Sequence, residues 1–380
     1  MIRIKILVLI FLFAAIAVVL SCAGYKYTGI KPEIGFLSEE EKNLYGFISR
    51  NLTAKNQGII TNYSGKPAVG DLPGGKDILS ESLGLMMHYA LEVESRSLFE
   101  KQYLFLEEVF ITGNSLVIWK VDENNKHLSA SNAVVDDLRI CGALISAYEK
   151  WGEKKYLNKA LKIADGIRKY NTRDSMLVDY YDCKKMQAAD VLTLAYIDLD
   201  AMNRLAAYDN KWRNIYTTSC VILNGGLAGE QGVFFHKRYN VLKKIYESDN
   251  TVNMAEQAVI LENLLRAGIK PSNTLKWIKD YYGLYGYIVN DYEILTGSKA
   301  NNNESISVYA LLRRVFLMAG DVETAEKFNR KIMKYYLVAN ADSRFFGGYY
   351  MATTGESCSF DNLQALISER YKNNLEKARE

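Results

Sequence analysis

The feature that most restricts what this chain can fold into is an alternation in the length of its connections. Apolar residues recur at three- and four-residue spacing almost throughout, with no sustained strand-like alternation, so helix follows helix. The first helix is predicted at Ser38, where Ser38-Glu39-Glu40-Glu41 reads as a capping box. Others are predicted to start near Leu79, Leu98, Ala133, Glu153, Lys185, Asp209, Thr251, Pro271, Glu304, Asp321 and Ser359. The helix from Ala133 shows the pattern well, with Leu138, Cys141, Leu144, Ile145 and Tyr148 on one stripe. Even-numbered helices pass into the next through a few residues, at Gly152, near Tyr208, at Gly268 and at Gly320, where a glycine suits the end of one helix and Pro271 or Asp321 opens another. Odd-numbered helices are followed by long excursions, roughly 53–78, 112–132, 170–184, 225–250, 286–303 and 338–358.

Six helical hairpins therefore recur at a spacing of about 53 residues, with one longer interval around 225–250. A tetratricopeptide solenoid repeats at about 34 residues with short links on both sides, which this chain does not match. The fold class expected is all-α: a single-domain (α/α)6 toroid, a closed barrel of six hairpins with inner and outer helices. Its short links share one face and its long loops the other.

At the N-terminus Arg3 and Lys5 precede fifteen apolar residues, Ile6 to Leu20, followed by Ser21-Cys22. A comfortable span needs about 20 residues, so the segment reads as a signal peptide. The small residue before Cys22 resembles a lipoprotein cleavage site. The expected organisation is a lipoprotein signal peptide over 1–22 with Cys22 as the lipidated residue, a tether over 23–37, and the helical domain over 38–376. Such a chain would sit at the extracellular face of the cell membrane, held there by its lipid.

With 47 basic and 44 acidic residues and no charge block, nucleic acid is not an expected partner. Only His88, His127 and His236 are present, with no paired-histidine motif, so neither a metal nor another cofactor is expected. Cys141, Cys183, Cys220 and Cys358 are far apart and read as free thiols. The 27 tyrosines are more informative, because a flat apolar ring with a polar tip suits amphipathic ligands such as sugars.

On the toroid, the N-termini of the even helices open onto the long-loop face, where a rigid scaffold usually carries its site. An acidic residue stands at or near each: Glu81, Asp136 with Asp137, Asp182, Asp249, Glu304 and Asp361. Each alone is explained by capping and the helix dipole. Six around one axis suggest chemistry. Carboxylates without a metal motif in a Tyr-rich cleft fit cleavage of a glycosidic bond, in which a protonated acid assists the leaving oxygen and an ionised partner activates water. Glu81 lies among Leu79, Leu83, Leu85 and Met86, which favours a raised pKa. Trp119, Tyr181, Phe235, Tyr285 and Tyr349 on the long loops are candidates for stacking on sugar rings, whereas Trp277, Tyr281 and Tyr282 have the spacing of core residues.

The residues also carry a resemblance. Ser80-Glu81-Ser82-Leu83-Gly84-Leu85-Met86-Met87 is similar to the S-E-G-Q-G-Y-G-M segment of glycoside hydrolase family 8, and Asp137-Leu138-Arg139-Ile140 to that family's D-A-D-L-D-I segment. Weaker likeness continues through Asn303-Glu304-Ser305 and Phe360-Asp361-Asn362-Leu363, and the branch most resembled is that of exopolysaccharide-trimming lipoproteins. The sequence departs from the pattern at Ser82, Leu83, Leu85, Met86 and Arg139. The resemblance implies an (α/α)6 barrel, inverting endo-hydrolysis of β-1,4-linked polymers, Glu81 as general acid and Asp137 as the aspartate gripping the sugar, with Asp136 either a cap or exchanging that role with its neighbour. The family's base lies in an S-Y-D-A segment, and only Ser248-Asp249-Asn250-Thr251 falls there, so Asp249 is the expected base with Asp182 and Glu256 in reserve. The expected protein is thus a monomeric, membrane-anchored hydrolase of an extracellular polysaccharide. A non-catalytic polysaccharide-binding lipoprotein and a polysaccharide lyase or uronide hydrolase of the same fold are the alternatives.

Overall fold

A computed structural model describes residues 34–63, 72–229, 232–336, 344–350 and 355–379. Cys22, the signal segment and most of the tether lie outside the described residues. Twelve α-helices are found among those described. They are α1 (Glu39–Phe47), α2 (Ser80–Glu92), α3 (Arg96–Phe105), α4 (Val134–Trp151), α5 (Lys154–Tyr170), α6 (Leu199–Tyr208), α7 (Trp212–Asn224), α8 (Met254–Arg266), α9 (Ser272–Tyr285), α10 (Ile306–Met318), α11 (Val322–Tyr336) and α12 (Ser359–Lys377). Single π-turns, Ile48–Leu52 and Leu106–Phe110, finish α1 and α3.

The even helices form the inner wall. α2 packs on α4, α4 on α6, α6 on α8, α8 on α10, α10 on α12, and α12 returns to α2, which closes the ring. The protein is an (α/α)6 toroid. Composition explains which helices are inside: in α10 every residue from Ile306 to Phe316 is buried, as is every residue of α2 from Ser82 to Met87. Helices buried all round belong in a core, and the arginines within α10 are there only as paired groups, whereas α5 and α11 keep lysines and arginines on an outward face. Gly152, Gly268 and Gly320 end inner helices α4, α8 and α10 with φ of 72°, 78° and 80°, a conformation that favours glycine.

The long loops carry short antiparallel strands at the other face. β1 (Ile78–Leu79) pairs with β2 (Lys120–Val121). β3 (Val191–Thr193), β4 (Arg238–Asn240) and β5 (Ile245–Glu247) form one three-stranded sheet, and β6 (Thr251–Asn253) pairs with β7 (Asp291–Glu293). Here the structure corrects the sequence reading. No helix starts near Lys185. The hairpin Tyr181–Asp182 with Gln187–Ala188, then β3 and a 3-10 turn over Leu194–Tyr196, fill the interval, and α6 begins at Leu199 with Asp198 as its cap. β3 is held by β4, more than forty residues away, a partner that no local periodicity announces.

An ionic network occupies the barrel axis below this face. The Glu262 carboxylate accepts hydrogen bonds from Arg314 at 2.9 Å and Arg266 at 2.8 Å, and Arg314 also reaches Gln364 at 2.7 Å. Arg313 binds Glu369 at 3.0 Å and Ser368 at 2.8 Å. The cysteines Cys141, Cys183, Cys220 and Cys358 are free thiols.

Candidate active site

The site is built where inner helices begin. β1 delivers the chain into α2. There the Ser80 N–H donates to the Trp119 carbonyl at 3.0 Å and the Ser80 hydroxyl donates to Asp136 Oδ2 at 2.6 Å. The start of α2 is thereby fixed to the start of α4 and to the segment entering β2. Glu81 follows in the first turn. Its half-buried carboxyl has no hydrogen bond from a described residue. Burial, reinforced by the Asp136 carboxylate, raises its pKa to about 7 against the opposing pull of Arg139. A helix N-terminus by itself would lower the value. Here desolvation and a like charge win.

Asp136 and Asp137 are separated by chain direction. Asp136 turns toward α2, is 4 % exposed, and accepts from Ser80 and from Arg139 at 2.6 Å. Asp137 turns away. It is 0 % exposed, receives the Asn132 side-chain amide at 2.9 Å, and leaves its Oδ1 without a partner. Burial pushes its pKa well up. Asn132 in turn accepts the Tyr181 N–H at 2.7 Å and pairs with Asn171, so Asp137 organises a loop junction behind the site. Of the two arrangements left open for the pair, it is Asp136 that borders Glu81, while Asp137 is fully buried.

Tyr196, on the 3-10 turn before α6, marks the centre. The acidity of its hydroxyl is suppressed first by burial and then by Asp179, Asp136, Glu256 and Glu81, so the charges of four carboxylates from four segments act on it. Asp179 accepts from the Thr193 N–H at 2.6 Å and hydroxyl at 2.8 Å, and burial carries its pKa to about 6, with Glu256 adding to the rise. Neither Tyr196 nor Asp179 was singled out from sequence. No local motif marks either residue, because they meet the other carboxylates only through the fold.

Glu256 stands in the first turn of α8, whose cap Asn253 accepts from the Ala255 and Glu256 N–H groups. Its half-buried carboxyl also has no hydrogen bond from a described residue. Burial raises its pKa, Lys237 opposes, and Asp249 and Asp291 add to the rise. Asp249, the base expected from sequence, lies beside Glu256 but outside the group around Tyr196. Its side chain is 53 % exposed and bridged to Lys237 at 3.0 Å and Arg238 at 3.8 Å, and the Lys237 bond holds its pKa low. The other acidic residues have structural partners. Asp182 caps a hairpin turn through the Lys184 and Lys185 N–H groups, Glu304 pairs with Tyr309 and Lys331, and Asp361 accepts the Ser307 N–H at 3.0 Å, joining α12 to the start of α10.

The aromatic candidates divide in the same way. Trp119 is half-buried beside the start of α2, with the Lys120 ammonium 4.9 Å from its ring. Tyr181 packs on Tyr170 at 4.8 Å. Phe235 is 2 % exposed and clamped at both backbone groups by Gln257, and Tyr349 is 5 % exposed with its N–H bound to Asn362, so neither offers a ring to a ligand. Tyr285 is exposed but belongs to outer helix α9, away from the carboxylates. Among the described residues no group of three or more His, Cys, Asp or Glu stands close enough to hold a metal ion.

Comparison with known proteins adds to this geometry. Residues 73–191 match the sequence model of the Glycosyl hydrolases family 8, an interval that contains Glu81, Asp136 and Asp179. YdaJ of Bacillus subtilis, described as a putative lipoprotein, is 30 % identical over 329 residues, covering 85 % of each chain. A structure described as a novel alpha-amylase from Clostridium perfringens superposes with a TM-score of 0.81 at 33 % identity, covering 87 % of this chain and 97 % of that one. The family 8 endoglucanase Cel10 from Klebsiella pneumoniae gives a TM-score of 0.61 at 15 % identity over 87 % of this chain and 99 % of its own, a likeness of fold.

Proposed function

Since this chain belongs to glycoside hydrolase family 8, we propose that it cleaves glycosidic bonds within an extracellular polysaccharide, with Glu81 as the general acid and Glu256 as the base that activates water. The observation that carries the reading is the state of Glu81: a carboxyl without a hydrogen bond from the described residues, pushed up to about 7 and bordered by Asp136. Such a group keeps a protonated fraction near neutral pH and can pass that proton to a leaving glycosidic oxygen. The Asp136 carboxylate, kept in place by Arg139 and Ser80, disfavours ionisation of Glu81 and stabilises positive charge developing at the sugar carbon. Glu256 is preferred to Asp249 because a base needs a free lone pair directed at water, and Asp249 spends its oxygens on Lys237 and Arg238. Inversion follows if a water fits between Glu81 and Glu256, which requires about 6.5–9.5 Å between the carboxyls.

Lipid attachment through Cys22 would place the enzyme at the outer face of the membrane, and the lipoprotein description of the Bacillus subtilis relative supports this. For the linkage, the family resemblance favours β-1,4 bonds of an exopolymer. An α-1,4-glucan is a second reading, favoured by the 33 % identity to the protein described as an alpha-amylase. Reducing-end release by wild type and Glu81→Gln on soluble starch, carboxymethylcellulose, xylan, chitosan and the cell's own exopolymer tests both. Wild type should release ends from one class of linkage, and Glu81→Gln should be slower by a factor of about 10²–10⁴. Equal rates, or no release from any polymer, would leave a binding protein.

A further inference from the structure

A second sugar-like surface lies on the outer wall. Helix α9 presents Trp277, Tyr281 and Tyr285 at four-residue intervals, a rise of about 6 Å per step on one face. Trp277 and Tyr281 stack with centroids 4.9 Å apart and planes 28° from parallel, and Tyr285 follows 4.5 Å from Tyr281. The sequence reading placed Trp277 and Tyr281 in the core. In the structure both are only half-buried, and with Tyr287 they line a groove of about 570 Å³ between α9 and the 296–299 turn. One wall is polar, with Asp280 on the helix and Ser298 and Lys299 on the turn. The turn is built to lie close: Gly297 adopts φ of 70°, and a Cβ there would come within 3.1 Å of Trp277 Nε1. Beneath, Trp277 rests on Phe234 at 4.7 Å and Tyr292 at 5.1 Å, so the floor is rigid. Tyr285 is 51 % exposed and Leu284 73 % exposed, an unusual display of apolar surface on one turn of helix. None of these residues belongs to the group around Tyr196.

We propose that this groove is a non-catalytic binding site for one or two pyranose rings of a polysaccharide, with the exposed Tyr285 ring against a sugar face, Tyr281 and Trp277 stacked behind it, and Asp280, Ser298 and Lys299 bonding the hydroxyls. Flat apolar ring faces bordered by donors and acceptors are the chemistry of a hexopyranose, and the volume lies within the range of small-ligand sites of about 300–1,000 Å³. The inference rests on the reading that the chain acts on a polysaccharide. A second contact on the outer wall would keep the enzyme on its polymer between cleavages and raise the local substrate concentration.

Affinity electrophoresis through gels containing soluble starch, carboxymethylcellulose, xylan or chitosan tests it, with Glu81→Gln as the parent so that the polymer is not consumed. Adding Tyr285→Ala should weaken retardation by the retaining polymer by roughly three- to ten-fold, the range of one aromatic contact. Tyr285→Trp should restore it. In the catalytically intact background, Tyr285→Ala should raise KM on the polymer and leave the rate on a short oligosaccharide unchanged. Tyr285 is exposed, so the fold should survive, and an unchanged melting temperature checks this. Retardation unaffected by Tyr285→Ala, or absent with every polymer, overturns the groove. Failure of the wild type to release reducing ends would instead overturn the hydrolase reading, so the two are separable.

Discussion

Two carboxylates on the inner wall, Glu81 at the mouth and Glu262 further down the axis, are both withdrawn from water, and burial opposes ionisation in both. They end in opposite states. Burial acts on Glu262, yet Arg314 and Arg266 outweigh it and hold the carboxyl at about 2. Glu81 meets an aspartate where Glu262 meets arginines, and Arg139, the nearest cation, is already bonded to Asp136. Its pKa therefore rises to about 7. The lesson is that burial supplies only a penalty for charge. The sign of the nearest charge decides whether a buried carboxyl becomes a structural anion or a proton donor.

The comparison breaks most visibly at the axis. Arg314→Met should leave Glu262 with one partner of two in a site where Glu262 is 7 % exposed, and destabilisation of about 3–5 kcal/mol is expected in denaturant unfolding. Loss of activity should track loss of fold. At the mouth, Glu256→Gln should leave the melting temperature near that of wild type and lower the turnover rate by a factor of about 10² or more, a steady-state measurement that separates site from scaffold. If its rate is unchanged, Glu256 is not the base.

The pH dependences should also run in opposite directions. Glu81 has a folded pKa above its unfolded one, so it favours folding fully below about 4.5 and loses that contribution as pH rises through about 7. Glu262 has a folded pKa below its unfolded one, so its contribution is complete above about 4.5 and lost as pH falls toward 2. Glu81→Gln should accordingly stabilise the protein at pH 8 by about 1–3 kcal/mol, reduced by solvent access to the carboxyl, and by nothing at pH 4. Thermal melts at the two pH values measure the difference. In the wild type the same titration predicts that activity falls as pH rises through about 7. The smallest effect is expected for Asp249→Asn, which removes an exposed, solvent-screened ion pair and should leave the rate within a few-fold of wild type. A hundred-fold loss there would return the base to Asp249.

Much of this was legible in the residues. Predicted starts at Leu79, Ala133, Pro271 and Ser359 fall within a residue of α2, α4, α9 and α12, because inner and outer helices are written in the apolar period and glycines stop them. The helix expected near Lys185 failed because β3 exists only through its pairing with β4. The sequence left open which of Asp136 and Asp137 borders Glu81 for a geometric reason: adjacent helical residues point about 100° apart, and only the position of α2 decides between them. Phe235 and Tyr349 looked like loop aromatics, yet Gln257 and Asn362 draw their backbones into the interior. Tyr196 and Asp179 gave no motif at all.

By itself, then, the order of residues determined six helical hairpins with unequal links, and it put Glu81 in the first turn of an inner helix, since these properties depend on neighbours a few positions away. Closure of the ring decided that Glu81 meets Asp136 and that Glu262 gains Arg314 beside its helical neighbour Arg266. Charges act through space over a few ångströms, and beside the local pairs Glu262–Arg266 and Asp136–Arg139 the deciding neighbours, Asp136 for Glu81 and Arg314 for Glu262, stand some fifty positions away in the chain.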